Sequence, residues 1–86
     1  MLKDDLLYLA QMLDIAQKAA GKVQGVSRVA YDSDENLRLA LAHLVQIIGE
    51  AARRVSAETC TIHPEIPWPE IIGMRHKIVH DYLYMD

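Results

Sequence analysis

The sequence lacks the features that would staple a small protein or anchor it in a membrane. Cys60 is the only cysteine among the 86 residues, so no internal disulfide can form, which suits a reducing compartment. No apolar run is long enough to span a bilayer, and the N-terminus, with Lys3, Asp4 and Asp5, lacks a secretory signal pattern. We therefore expect one cytoplasmic domain over residues 1–86, whose small core needs support from a partner subunit.

Positive charge and phenylalanine are also scarce. Nine Lys and Arg residues face twelve Asp and Glu residues, which gives a net charge of -3, whereas domains that bind nucleic acid are commonly basic. An RNA function would therefore depend on a local basic patch or on a partner. Phenylalanine is absent, yet 51% of the residues are hydrophobic, which favours a folded domain over a disordered chain.

The first predicted helix runs from about Lys3 to Val23 and is apolar over a wide arc. One stripe, spaced alternately by four and three, contains Leu2, Leu6, Leu9, Leu13, Ala16, Ala20 and Val23. A second stripe, about 100° round the helix, contains Tyr8, Met12, Ile15 and Ala19. Because the two stripes together are wider than one neighbouring helix can cover, we expect part of this face to meet a second subunit.

Two further helices are predicted along the chain. The second begins near Asp32, Ser33 or Asp34, which are all good N-cap residues, and its core stripe contains Leu37, Leu41, Leu44, Ile48, Ala51 and Val55. The segment from Ser56 to Pro67 has no helical period and is predicted to be a loop. The third helix begins at Trp68 or Pro69. The sequence therefore predicts an all-α fold, a small antiparallel helical bundle that dimerises.

The most polar cluster lies near the end of the chain and matches the pattern R-x4-H-x-Y at Arg75, His80 and Tyr82. Two other segments accompany it, IIGEAA at 47–52 and IPWPEIIGMR at 66–75. In this order and spacing, the three segments closely resemble HEPN domains of the HepT-like branch, the toxins of HepT/MntA toxin–antitoxin systems. The resemblance covers nearly the whole chain.

The resemblance implies a metal-independent endoribonuclease toxin that cuts tRNA or mRNA through Arg75 and His80, with no metal and no cofactor. It also implies a cognate antitoxin, a minimal nucleotidyltransferase, which attaches AMP to the motif tyrosine, here Tyr82, and silences the toxin. Relatives usually carry another helical segment after the tyrosine, whereas this chain ends four residues after Tyr82. We therefore expect either a short form or a missing C-terminal helix.

The chemistry of these residue types agrees with that expectation. RNA is cut without a metal when its 2′-hydroxyl attacks the neighbouring phosphorus, which needs proton transfer and positive charge on the phosphoryl oxygens. Histidine as a residue type titrates near neutral pH, so His80 suits either proton transfer, while the Arg75 guanidinium matches phosphate oxygens. Tyr82 can hold a phosphate or stack on a base. In an unbroken helix Arg75 and His80 point about 140° apart, so the site needs either a helix end near His80 or a second subunit.

Each candidate residue also has a structural interpretation: Arg75 can be a solvated charge, and Tyr82 can simply pack its ring. His80 can complement a helix C-terminus, and Lys77 can belong to a solvated face instead of holding RNA. Glu50 and Arg54 have the spacing of an ordinary surface ion pair, although Glu50 can alternatively orient an active-site group. Two other functions also stay open: a non-catalytic subunit that binds nucleotide or substrate for a minimal nucleotidyltransferase, and a purely structural helical dimer. The acidic net charge slightly favours the accessory subunit.

Overall fold

The computed structural model describes residues 3–78, with side chains for residues 3–74, and this part of the chain is built from helices. In order they are α1 (Lys3–Val23), α2 (Arg28–Ser33), α3 (Glu35–Arg54), α4 (Ala57–Ile62) and α5 (Trp68–Ile78). No strand occurs within residues 3–78. The predicted all-α fold is confirmed.

The three long helices begin where local sequence signals place them. α1 has the predicted bounds, and α3 follows Asp34, whose side chain accepts a hydrogen bond of 3.0 Å from the backbone N–H of Leu37. This contact satisfies one of the N–H groups that a helix start leaves without a partner. α5 begins at Trp68, as predicted.

Two short helices correct the sequence prediction. The segment from Ser56 to Pro67 is not a continuous loop, because its first part forms α4, in which Cys60 is half-buried. The Ser56 hydroxyl caps α4 by accepting a hydrogen bond from Thr59 N, and Ser27 caps α2 in the same way. Each of these helices has only six residues, too few to show a helical repeat of apolar positions.

The core lies where α1, α3 and α5 meet. Ala52 and Val55 of α3 are buried together with Trp68, the first residue of α5. The partly buried residues that pack against this cluster are Tyr8, Leu9, Met12, Cys60, Ile66, Ile71 and Ile72. The indole N–H of Trp68 donates a hydrogen bond of 3.0 Å to the carbonyl of His63, so the buried ring keeps its polar atom paired. Trp68 therefore anchors the start of α5.

A buried carboxylate determines how α1 lies on α3. Asp5, in the first turn of α1, is 2% exposed and accepts hydrogen bonds from Ser56 N at 2.9 Å, Ser56 Oγ at 2.6 Å and Thr59 Oγ1 at 2.6 Å. Ser56 lies just beyond the C-terminal end of α3. The start of α1 thus meets the end of α3, and the two helices pack along each other in antiparallel directions.

The two apolar stripes of α1 lie in different environments. Tyr8, Met12, Ile15 and Ala19, the second stripe, are all half-buried. In the first stripe Leu9 packs on the core, but Leu6 and Leu13 are 58% and 60% exposed. One subunit therefore covers only part of the apolar arc of α1. None of the described helices combines the length and the apolar character that a bilayer crossing requires.

Candidate functional site

α5 carries the first residue of the R-x4-H-x-Y pattern. Ile71 and Ile72 pack on the core, so this helix is held against α3. Arg75 lies one turn after Ile71, and Lys77 also lies within α5; the structure describes the backbone of both. His80 and Tyr82 fall outside the described residues. The predicted meeting of Arg75 and His80 in one site therefore stays a prediction.

Glu50 lies on α3, the helix along which α5 packs. Its side chain is 30% exposed, and its Oε1 atom lies 2.6 Å from Nη2 of Arg53 and 3.7 Å from Nη2 of Arg54. The predicted pair with Arg54 is present, and the contact with Arg53 is the shorter of the two. Because one carboxylate oxygen contacts both guanidinium groups, Glu50 orients two arginines at the surface of α3.

A shallow groove, largely open to solvent, runs beside these charged residues on the outer side of α3. It has a volume of about 430 Å³ and is lined by His43, Gln46, Ile47, Glu50, Arg53 and Arg54. A smaller pocket of about 130 Å³ extends it toward α1, where Gln11 joins Ile47, Glu50 and Arg54. We call the larger cavity the α3 groove.

Sequence reasoning identified Glu50 but missed the α3 groove. The residues that line it are spaced three or four positions apart along α3. The solvent-exposed face of any ordinary helix has the same spacing. The signal that could have found it is charge. Between residues 36 and 54, Glu50 is the only acidic residue, while Arg38, Arg53 and Arg54 are basic. This part of an acidic protein is therefore locally positive.

Cys60, the only cysteine, packs among residues of the core. The Cys60 thiol lies 4.0 Å from the carbonyl oxygen of Val55 and packs against the core. Among the residues whose side chains are described, no group of three or more His, Cys, Asp and Glu residues is arranged to hold a metal ion. The described side chains thus offer surface cations and amides, not a metal centre.

Comparison with known proteins shows which family this small helical bundle belongs to. Residues 12–86 match the family model described as "Ribonuclease HepT-like". The chain belongs to the HepT-like ribonuclease family. The matched span contains all three segments on which the resemblance rests, at 47–52, 66–75 and 75–82. The resemblance to the HepT-like branch of HEPN domains is therefore confirmed.

Curated proteins named as ribonucleases are similar to this chain over most of its length. A "putative RNase" of Caldanaerobacter subterraneus subsp. tengcongensis is 35% identical over 87% of this chain and 67% of its own length. A "probable ribonuclease HepT" of Thermococcus cleftensis is 38% identical over 62% of this chain, which spans about half, 48%, of that relative. A "putative RNase" of Methanocaldococcus jannaschii is 28% identical over 90% of this chain and 73% of its own length. No solved structure matches the chain with significance.

Proposed function

We propose that this chain is a metal-independent endoribonuclease, the toxin of a toxin–antitoxin pair that acts on tRNA or mRNA. The observation that carries the proposal is the HepT-like family match over residues 12–86, which contains Arg75, His80 and Tyr82. The relatives named as ribonucleases support the same activity.

The proposed reaction needs only groups that the motif supplies. A base takes the proton of the RNA 2′-hydroxyl, the 2′-oxygen bonds to phosphorus, and the bond to the 5′-oxygen breaks as that oxygen gains a proton. His80 carries out one of the proton transfers, and Arg75 stabilises the negative charge on the phosphoryl oxygens. The products are a 2′,3′-cyclic phosphate and a 5′-hydroxyl. The anchored packing of α5 on α3 supports this role, since it gives Arg75 a fixed helical backbone.

The proposed active form is a homodimer. One His80 offers a single proton-transfer group, while the reaction uses two such transfers, and a two-fold axis near α5 would bring two copies of Arg75 and His80 into one cleft. Leu6 and Leu13, exposed on α1, support an interface between subunits.

Tyr82 is the proposed point of control. A cognate minimal nucleotidyltransferase would transfer AMP to its hydroxyl, placing a bulky anion two residues from His80. The added phosphate would compete with RNA for Arg75, because a guanidinium binds either anion. This gives the antitoxin a way to silence the ribonuclease without unfolding it.

The activity is tested by incubating the protein with end-labelled tRNA and mRNA in excess chelator. We expect cleavage to continue and to leave 2′,3′-cyclic phosphate ends. His80→Ala and Arg75→Ala should each reduce the rate by about 100-fold or more, with unchanged helicity by circular dichroism. Arg28→Gln, which removes an exposed arginine on α2, is the matched control and should cut RNA normally. Loss of wild-type cleavage in chelator would contradict the metal-free mechanism, and nucleotide binding without any cleavage would favour the accessory subunit.

A further inference from the structure

We propose that the α3 groove binds the phosphate backbone of the RNA substrate, with Arg53 and Arg54 as its principal phosphate contacts. The inference rests on the proposed ribonuclease function and deepens it. It assigns the substrate a binding surface that is separate from the R-x4-H-x-Y pattern.

The first argument is the distribution of charge. RNA is a polyanion, and a chain with a net charge of -3 repels it except where cations are concentrated. The α3 groove is such a place, because Arg53 and Arg54 lie side by side and Glu50 is the only acidic residue in its lining. His43 and Gln46 add further groups that can hydrogen-bond to phosphate or sugar oxygens.

The second argument is the arrangement of the three charged side chains. Arg53 and Arg54 are 64% and 59% exposed, whereas Glu50 is 30% exposed. The cations therefore reach solvent while the carboxylate lies deeper. A guanidinium has five N–H donors, so a contact with Glu50 Oε1 occupies only part of that capacity. Glu50 accepts a hydrogen bond from Arg53 and lies within ion-pair distance of Arg54, and the remaining donors of the two guanidinium groups suit bidentate contacts with phosphate oxygens.

The third argument is the position of the groove in the fold. α3 packs along α5, the helix that carries Arg75, so the groove and the start of the proposed catalytic motif lie on two helices that pack together, with the groove on the outer side of α3. Arg53 and Arg54 also occupy the last turn of α3, where cations complement the helix dipole. If Arg53 and Arg54 have only this structural role, their loss should lower thermal stability and leave RNA affinity unchanged. The experiment measures both quantities.

The experiment measures binding to RNA that cannot be cut. Fluorescence anisotropy follows a labelled, single-stranded oligonucleotide whose 2′-hydroxyls are all methylated, so the nucleophile is absent. We compare the wild type with the double variant Arg53→Gln/Arg54→Gln across a salt series. Each lost phosphate contact lowers the slope of log Kd against log salt by about 0.7 for a single strand, so the double variant should lose ~1.4 in slope. Its affinity at low salt should fall by about tenfold or more.

Two further variants keep the test specific. Arg53→Lys/Arg54→Lys retains both charges and should keep most of the wild-type salt slope. Arg28→Gln removes an arginine that forms the same kind of exposed ion pair, with Asp32 on α2, and should leave both affinity and slope unchanged. Thermal unfolding of each variant reports on the helix-dipole contribution of Arg53 and Arg54 separately from RNA binding.

The outcomes are distinguishable from those of the cleavage assay. Wild-type protein that cuts no RNA would contradict the proposed function, and the groove would still be supported if the wild type binds the methylated oligonucleotide and the double variant loses affinity and slope. Active wild type together with a double variant of unchanged affinity and slope would overturn the groove assignment. A loss in Arg28→Gln that is half of the loss in the double variant, or more, would also overturn it, since the effect per removed charge would then follow net charge alone.

Discussion

Oδ2 of Asp5 accepts a hydrogen bond of 2.6 Å from Oγ1 of Thr59, a residue 54 positions later in the chain. The same carboxylate accepts hydrogen bonds from the hydroxyl and the backbone N–H of Ser56. The Ser56 hydroxyl, then Thr59, then the Ser56 N–H lower the pKa of Asp5 below its ordinary value of 3.8. This contact ties the first turn of α1 to the start of α4.

The first prediction concerns stability. Asp5→Ala should lower the midpoint of thermal unfolding at pH 7 by several degrees, because it leaves the donors of Ser56 and Thr59 without their acceptor. Since the folded state lowers the pKa of Asp5, its contribution is fully present above pH ~4 and is lost as pH falls through the folded-state pKa. The difference between wild type and variant should therefore shrink below pH 3.8.

The neighbouring carboxylate provides the control for this prediction. Asp4 lies in the same turn of α1 but is exposed. Asp4→Ala should leave the midpoint nearly unchanged across the same pH range. A midpoint for Asp5→Ala that equals that of Asp4→Ala would show that the buried contact does not stabilise the fold.

The second prediction concerns silencing. Co-expression with the cognate nucleotidyltransferase should raise the intact mass by whole AMP units and abolish RNA cleavage. Tyr82→Phe should prevent the mass gain and leave cleavage resistant to the transferase, because the acceptor hydroxyl is missing. Tyr84→Phe is the matched control, two residues further along the chain, and should be modified like the wild type. A full mass gain in Tyr82→Phe would place the acceptor at another residue.

The third prediction concerns the exposed stripe of α1. If Leu6 and Leu13 lie in the dimer interface, Leu6→Glu or Leu13→Glu should weaken dimerisation by about tenfold or more, as expected when a buried leucine is lost from an interface. Leu7, 62% exposed, lies about 100° round the helix from Leu6. Leu7→Glu should therefore leave the dimer intact. Light scattering at micromolar concentration measures the oligomeric state of the wild type and of the three variants. A monomeric wild type that still cuts RNA would contradict the proposed homodimer.

The fourth prediction asks whether the site is shared between subunits. Arg75→Ala and His80→Ala proteins should each be inactive alone. Mixing them should restore part of the activity if Arg75 of one subunit acts with His80 of its partner, because some mixed dimers then contain one complete site. Arg75→Ala mixed with the double variant Arg75→Ala/His80→Ala is the control and should stay inactive. No recovery in the first mixture, with subunit exchange shown by mass, would place both residues of a site in one chain.

Part of the candidate site could be predicted from the sequence, because a motif is a local pattern. The family match bears out the resemblance carried by the segments that contain Arg75 and Glu50, while the roles of Arg75, Lys77 and Glu50 stay predictions. The α3 groove could not be predicted in the same way. It depends on how far Glu50 is buried relative to Arg53 and Arg54, and a residue spacing does not contain that information.

The sequence by itself determined the family, the all-α fold and the start of the three long helices. These features depend on local signals: the apolar period along α1 and α3, the capping side chain of Asp34, and Trp68 at the first turn of α5. Only the tertiary structure decided that the stripe with Tyr8 and Met12 faces the core while Leu6 and Leu13 stay exposed. The stripe that contains Leu6 and Leu13 is the more apolar of the two, so hydrophobicity alone does not predict which stripe is buried, and long-range contacts decide it. The bonds from Ser56 and Thr59 to Asp5 are the contacts that hold the first turn of α1 in place.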